Sequence, residues 1–315
     1  MLEVSRSFIV VSTLQTKHFT VAYGRKGGME PMSSRQTTLL EAIVAAGRVA
    51  VTELAQLAEV SAVTIRKDLD ALESCGLIRR ERGFAVLVSA DDPAGRLAYH
   101  YADKARIARA AAGTVHDGET VMVEAGSCCT LLAEQIATQH SGTTIITNSA
   151  FIADRLRAFP ATRVILLGGE QQPDSRVMVG PMVELCAQQF LVDRLFVGTD
   201  GFTARLGFTA RDYLRATAVR ALAERAEHVV VVTESEKLGG HGPVPLLPAS
   251  AVSTVWTDAA GDPAQITALT DSGVQVVTVS PSGATTTHSA AAGATTRPTA
   301  AIRTGAGTLE EEQSS

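Results

Sequence analysis

Arg66 and Lys67 stand beside Ala62, Val63 and Thr64 in a run that opens at Ser61. Small and polar residues near a helix start can approach base edges, while Arg and Lys reach guanine edges or phosphates. Further on, Arg79, Arg80 and Arg82 place three guanidiniums within four residues, a charge density suited to gripping phosphates. Asp68, Asp70 and Glu73 share the first segment, so a solvated charged helix is the competing reading.

A second set of residues points to a small anionic ligand. Glu124, Gly126, Ser127, Cys128 and Thr130 lie where an apolar run passes into a helical one. Backbone N–H groups at such a junction, with the positive helix end and two hydroxyls, favour phosphate. Asn148, Gly168, Gly169, Gly198, Asp200, Gly201 and Lys237 each follow another apolar run. Glycines let the backbone approach a ligand; Asn, Asp and Lys supply directional contacts. Arg211, Tyr213 and Arg215 could reach either that ligand or a neighbouring subunit. Any strand-to-helix junction can be rich in Gly and Ser, and Asp200 or Lys237 taken singly could be a turn residue or a solvated one.

The elements that must position these residues follow from periodicity. Leu39, Leu40, Ile43 and Val44 predict a helix ending at Gly47. Thr52 reads as the N-cap of a short second helix, and Ser61 as that of a third with an Ile65/Leu69/Leu72 stripe. Two short strands around Gly83 complete a winged helix-turn-helix over 33–90. From 104 to 280, strand-length apolar runs alternate with helical segments, which predicts a mostly parallel α/β sheet covered on both faces. Ligands of such sheets bind outside the carboxyl ends of the strands. The polar stretch 91–103 reads as a linker and residues 1–32 as a flexible extension. Residues 281–315 hold eight Ala and eight Thr with only Ile302 and Leu309 as large aliphatics, so a disordered tail is expected there.

Length and composition narrow the class. The chain has 315 residues, 45% of them hydrophobic and 4% aromatic, which predicts two domains with aliphatic cores. Four cysteines without zinc-like spacing, seven scattered histidines and no Gly-rich nucleotide motif predict neither metal nor cofactor. The pair Cys128-Cys129 lacks a visible resolving partner for redox chemistry. No membrane span or convincing secretion signal is read, so the cytoplasm is expected. Net charge is −5, but residues 1–90 carry 11 Lys and Arg against 9 Asp and Glu, whereas the rest carry 17 against 24. A slightly basic head on an acidic body fits two modules with different partners.

The stretch VAVTELAQLAEVSAVTIRKDLDALESCGLIRRERGFAVL (49–87) resembles the N-terminal domain of the DeoR family of bacterial sugar-metabolism regulators. The resemblance continues through VMVEAGSCCTLLAEQI (121–136), TNSAFIA (147–153), LLGGE (166–170), FVGTDGF (196–202), GFTARD (207–212) and TESEKLGGHG (233–242). It departs at the wing tip, Gly83-Phe84-Ala85, where the family usually has Gly-Gly-Ala, and at Ser127 and Cys128, where most members carry Thr. The resemblance implies a body similar in fold to ribose-phosphate isomerase, glucosamine-phosphate deaminase and CoA transferases, binding a phosphorylated sugar that controls DNA affinity.

These observations lead to an expected DNA-binding regulator, a repressor of a carbohydrate operon, with double-stranded operator DNA and a phosphorylated sugar as partners. One winged helix covers one short half-site, so a homo-oligomer, dimer or tetramer, is expected. The alternative is a sugar-phosphate isomerase or acyl-CoA transferase with an appended helix-turn-helix, prompted by Glu124, Asp200 and Lys237. Phe202 stands where the similar deaminase loop has a proton-moving histidine, so no enzyme activity is expected. A regulator that has lost its ligand is a third reading, to which only Cys128 points.

Overall fold

Ser33 and Gln36 form a reciprocal capping box, at 3.2 and 2.9 Å, that starts α1 (Ser34–Ala46). Leu39, Leu40 and Ile43 bury one face of that helix, and Gly47 ends it at φ +71, where a Cβ would be strained. The protein is described here from a computed structural model over residues 32–87 and 93–290. All but the last residue of the expected N-terminal extension 1–32, and the tail from 291 onward, lie outside the described residues. The head continues through β1 (Arg48–Ala50), α2 (Val51–Leu57), α3 (Ala62–Ser74), β2 (Ile78–Glu81) and β3 (Phe84–Leu87).

Two expectations for the head need correction. The wing has three strands, ordered β1-β3-β2, because Arg48–Ala50 pairs along β3. Thr52 is not an N-cap: Val51 already opens α2, its N–H held by the carbonyl of Gly83 at 3.0 Å, and Glu53 reaches back to the N–H of Ala50. Ser61 does cap α3, its hydroxyl accepting from the N–H of Thr64 at 3.3 Å.

The described part of the expected linker, 93–103, is largely helical. It contains α4 (Pro93–Ala98) and the start of α5 (Tyr101–Ala112), separated by Tyr99 and His100, the latter at φ 48. Leu97 is fully buried and Ala98 nearly so, and one apolar cluster runs from Leu39 in the head through Leu97 to Val232 in the body. Sequence polarity hid this, since only a few small apolar side chains dock the segment.

The body follows as β4 (Thr120–Val123), α6 (Ser127–Gln139), β5 (Thr144–Thr147), α7 (Ala150–Arg155), β6 (Arg163–Leu166), β7 (Glu170–Gln171), β8 (Met178–Val179) and α8 (Pro181–Ala187). Then come β9 (Val192–Val197), β10 (Gly201–Thr203), β11 (Gly207–Ala210), α9 (Tyr213–Ala223), β12 (Ala226–Val232), α10 (Ser235–Leu238) and β13 (Val244–Leu247). The chain closes with β14 (Thr254–Asp258), α11 (Pro263–Asp271), β15 (Gln275–Val279) and β16 (Thr285–His288).

Among the described residues the main sheet has eight strands in the order β16-β15-β14-β12-β9-β4-β5-β6, parallel except for β16. Helices α5, α6 and α7 pack with one face's core, and α8, α9 and α11 with the other's. From β4 the chain winds outward through β5 and β6, then returns to β9 and winds the opposite way. The topological switch point therefore lies between β4 and β9, where a crevice is expected. An antiparallel sheet β10-β11-β13, not expected from the sequence, carries loops to the same end. The predicted disordered tail also needs correction over 281–290: Ser280 to Gly283 turn, and Thr285–Thr287, β-branched residues that fit a pleated surface, pair with β15.

Candidate functional site

On the head, the stripe Ile65, Leu69 and Leu72 is fully buried, and this fixes the opposite face of α3 outward. Ala62, Val63, Arg66 and Lys67 are exposed there, with Thr64 half-buried beside them. Asp68 belongs to the scaffold: it accepts from Arg35 Nε at 2.7 Å and Nη2 at 3.1 Å. On the wing the three arginines differ. Arg79 pairs with Glu81 at 3.0 Å and Arg80 with Asp70, while Arg82 is exposed and makes no hydrogen bond or ion pair among the described residues. Arg66 and Lys67 are likewise unengaged. Solution-facing cations without carboxylate partners are the ones available to phosphates.

At the switch point a cleft of about 250 Å³ opens between the ends of β4, β9 and β12. Glu124 is 2% exposed beyond β4; Arg215 of α9 donates to its Oε1 at 3.2 Å and to the carbonyl of Ala125 at 2.9 Å. The N–H of Gly198 reaches Glu124 Oε2 at 3.4 Å. Burial raises the carboxyl of Glu124 despite Arg215, whereas for Arg215 burial is outweighed by Glu124, Asp200 and Asp212, which hold its cation firmly. Arg215 Nε is buried and has no hydrogen-bond partner among the described residues.

Gly126 starts α6 without a side-chain cap, which leaves the first-turn N–H groups without a capping side chain where Gly126 and Ser127 line the cleft. Lys237 lines the opposite wall and pairs with Glu234 at 3.2 Å. Behind it Lys104, 2% exposed, meets the same carboxylate at 3.0 Å and donates to the carbonyls of Arg96, at 2.5 Å, and Tyr99. Burial would raise Glu234, but Lys237 and Lys104 carry it below the usual carboxylate range. Burial works against both lysines too; it prevails at Lys104, while Glu234 lifts Lys237. Asp200 accepts from the N–H of Arg211 at 2.9 Å, and Asp212 caps α9. Four cations (Arg96, Arg211, Arg215 and Lys237) line the cleft against three carboxylates (Glu124, Asp200 and Asp212), so with the α6 terminus the walls favour an anion.

The fold therefore gathers Glu124, Gly126, Ser127, Gly198, Asp200 and Lys237. The other candidates lie outside the lining of this cleft. Cys128 is buried and donates to Glu234 at 3.4 Å; burial pushes both it and Cys129 up, away from thiolate chemistry. Thr130 bonds the carbonyl of Gly126 at 2.8 Å. Asn148 donates to the carbonyl of Met178 at 3.2 Å, serving the β5–β8 contact. Gly168 packs near Cys186, and a Cβ on Gly169 would meet the carbonyl of Val179 at 2.7 Å. Gly201 is a packing residue as well, since a Cβ there would lie 2.3 Å from the carbonyl of Gly240. Tyr213 is exposed on the rim helix, whereas Arg211 and Arg215 line the cleft. Arg96, Thr199 and Asp212 escaped sequence reasoning; only the helix-cap pattern at Asp212 could have signalled one of them.

A larger groove, about 860 Å³, opens at the opposite edge of the sheet among His116, Glu119, Arg194, His228 and Trp256. Arg194 there holds Glu119 at 2.8 Å and the carbonyl of Thr114. The groove lacks the switch-point position and the helix N-terminus, so the cleft at the carboxyl edge is the candidate site.

Residues 99–259 match the family described as DeoR C terminal sensor domain, and residues 35–91 the DeoR-like helix-turn-helix domain. The glycerol-3-phosphate regulon repressor of Escherichia coli (strain K12) is 30% identical over 247 residues, 78% of this chain and 98% of that protein. Transcriptional repressor AccR of Agrobacterium fabrum (strain C58 / ATCC 33970) is 30% identical over 208 residues, 64% of this chain and 80% of its own length. Among solved structures, ribose 5-phosphate isomerase A of Methanocaldococcus jannaschii aligns over 43% of this chain and 53% of that one, at 16% identity and TM-score 0.32. With its exposed recognition helix and an anion-favouring cleft at the switch point, the chain belongs to the DeoR family of transcriptional regulators.

Proposed function

We propose that this protein is a repressor of a carbohydrate-metabolism operon whose operator affinity is set by a phosphorylated sugar or sugar alcohol in the switch-point cleft. The observation that carries the reading is the convergence of Arg215, Lys237 and the uncapped first turn of α6 on one cleft, below a head whose Arg66, Lys67 and Arg82 face solvent. Ser127 and Gly126 would hold phosphate oxygens through N–H and hydroxyl donors; Asp200 would accept from sugar hydroxyls. The effector acts only through unequal affinity for DNA-competent and incompetent arrangements. One recognition helix reads one half-site, so two copies acting on two half-sites complete the operator complex. Such a partner puts the working place in the cytoplasm.

Turnover is not part of this reading. Glu124 is bound by Arg215 and Gly198, so it is not free to attack, and Phe202 is 2% exposed with its ring 5.0 Å from that of Phe208. The test is binding of the full chain to its own upstream DNA at fixed salt, with a panel of phosphorylated sugars and glycerol 3-phosphate, the metabolite in the name of the Escherichia coli relative. Saturable binding released by one compound supports the reading. Specific binding that no compound alters removes the effector half, and conversion of a sugar phosphate would favour the enzyme.

A further inference from the structure

A buried ion pair of the body reaches into the head through a hydrogen bond. Arg155 closes α7 at 4% exposure, and its Nε pairs with Glu134 of α6, which is 5% exposed. The same guanidinium sends Nη1 into the head and donates to the carbonyl of Cys75 at 2.9 Å. Cys75 is the C-cap of α3, the helix that carries Arg66 and Lys67. Carbonyls at a helix C-terminus lack intrahelical partners and carry partial negative charge, so a cation suits that position.

The placement of Glu134 gives the pair a further consequence. It lies two turns along α6 from Ser127, about 10 Å away on the same side of the helix. Ser127 belongs to the cleft. Between them every residue from Cys128 to Ala133 is buried, so α6 is gripped along its length and a shift of its first turn reaches Glu134. An ion pair is a poor way to add stability here, since an apolar pair of similar volume often serves as well. A guanidinium fork does what an apolar pair does not: it fixes two partners in one geometry.

We propose that Glu134 and Arg155 are positioning residues that tie the seating of the recognition helix to the state of the cleft, with α6 as the element between them. Linkage is reciprocal, so DNA on α3 alters the first turn of α6 just as a ligand at that turn alters DNA affinity. The inference rests on DNA binding through α3 and does not depend on which effector occupies the cleft.

The test uses the full chain and reads amide hydrogen exchange over residues 127–132 with and without saturating operator duplex. In the parent, DNA is expected to change exchange there about fivefold or more. Arg155→Met combined with Glu134→Met keeps the buried volume without charge, and Arg155→Lys keeps a cation on Glu134 but gives up the fork. Both variants are expected to bind DNA and lose most of that response. No response in the parent, or an equal one in parent and variants, overturns the proposal. Thermal unfolding identifies a variant that has not folded, and the other variant then decides. If neither inorganic phosphate nor any phosphorylated sugar shifts operator affinity in the parent, the effector reading fails while the exchange experiment still decides this linkage.

Discussion

The residues offered to DNA and those offered to a small ligand are held in opposite ways. Arg66, Lys67 and Arg82 stand in water, attached to a rigid scaffold but bonded to none of the described residues. Arg215 and Lys237 are held by Glu124 and Glu234, carboxylates that are themselves 2% and 4% exposed. A polyanion supplies its own dense charge and releases counterions, so the surface that meets it needs only accessible cations. A small ligand has to be oriented, and buried carboxylates such as Glu124 and Glu234 hold the half-buried cations in place for it. Removing a side chain should therefore cost the head binding and cost the cleft stability.

The largest expected effect breaks the cleft. Arg215→Ala strands Glu124 in a buried site and should lower unfolding free energy by about 3 kcal/mol, measured by chemical denaturation. Glu124 then escapes by taking up a proton. Its folded pKa rises further above the unfolded value, so its contribution is present at low pH and lost as pH rises. The variant should thus fall further behind the parent at pH 8 than at pH 5. A loss below about 1 kcal/mol would mean that the pair behaves like a solvated one.

Arg66→Ala probes the other side of the comparison. It should weaken specific operator binding by about 1–3 kcal/mol while leaving thermal unfolding unchanged. A drop in melting temperature comparable to that of Arg215→Ala would contradict the solvent-facing description of α3.

The smallest effect concerns acid. The carboxyl of Glu234 is held below its usual value of 4.5, so its pairing stabilises above that range and is lost as pH falls through the folded pKa. Glu234→Gln cannot lose what it lacks, and its melting temperature should fall less steeply than the parent's on acidification below about pH 5. Parallel acid limbs would show that the carboxyl is not ionised against its two lysines.

Much of the head was legible because its information is local. Ser61, the Ile65/Leu69/Leu72 stripe and Gly83 lie within one short stretch, and each acts on its own neighbours. Even there the third wing strand and the early start of α2 were missed, because both depend on pairing with β3 and on the carbonyl of Gly83. The body was legible as alternating strands and helices, yet half of its candidate ligand residues lie outside the cleft lining. Gly169 and Gly201 are glycines because other backbone passes too close, a reason that looks the same in sequence as a phosphate loop.

By itself, the sequence determined the two units, the face that α3 turns to solvent, and the strand ends along which a ligand could be sought. Those follow from spacing within a helix or strand, where each residue's partners are a few positions away. Tertiary structure decided which strand ends are neighbours, bringing Arg215 to Glu124 across 91 residues and Arg155 to Cys75 across 80. It also turned a polar connector into two docked helices. Pairing of buried charges depends on distance in space, and strand order sets that distance only after the sheet has closed.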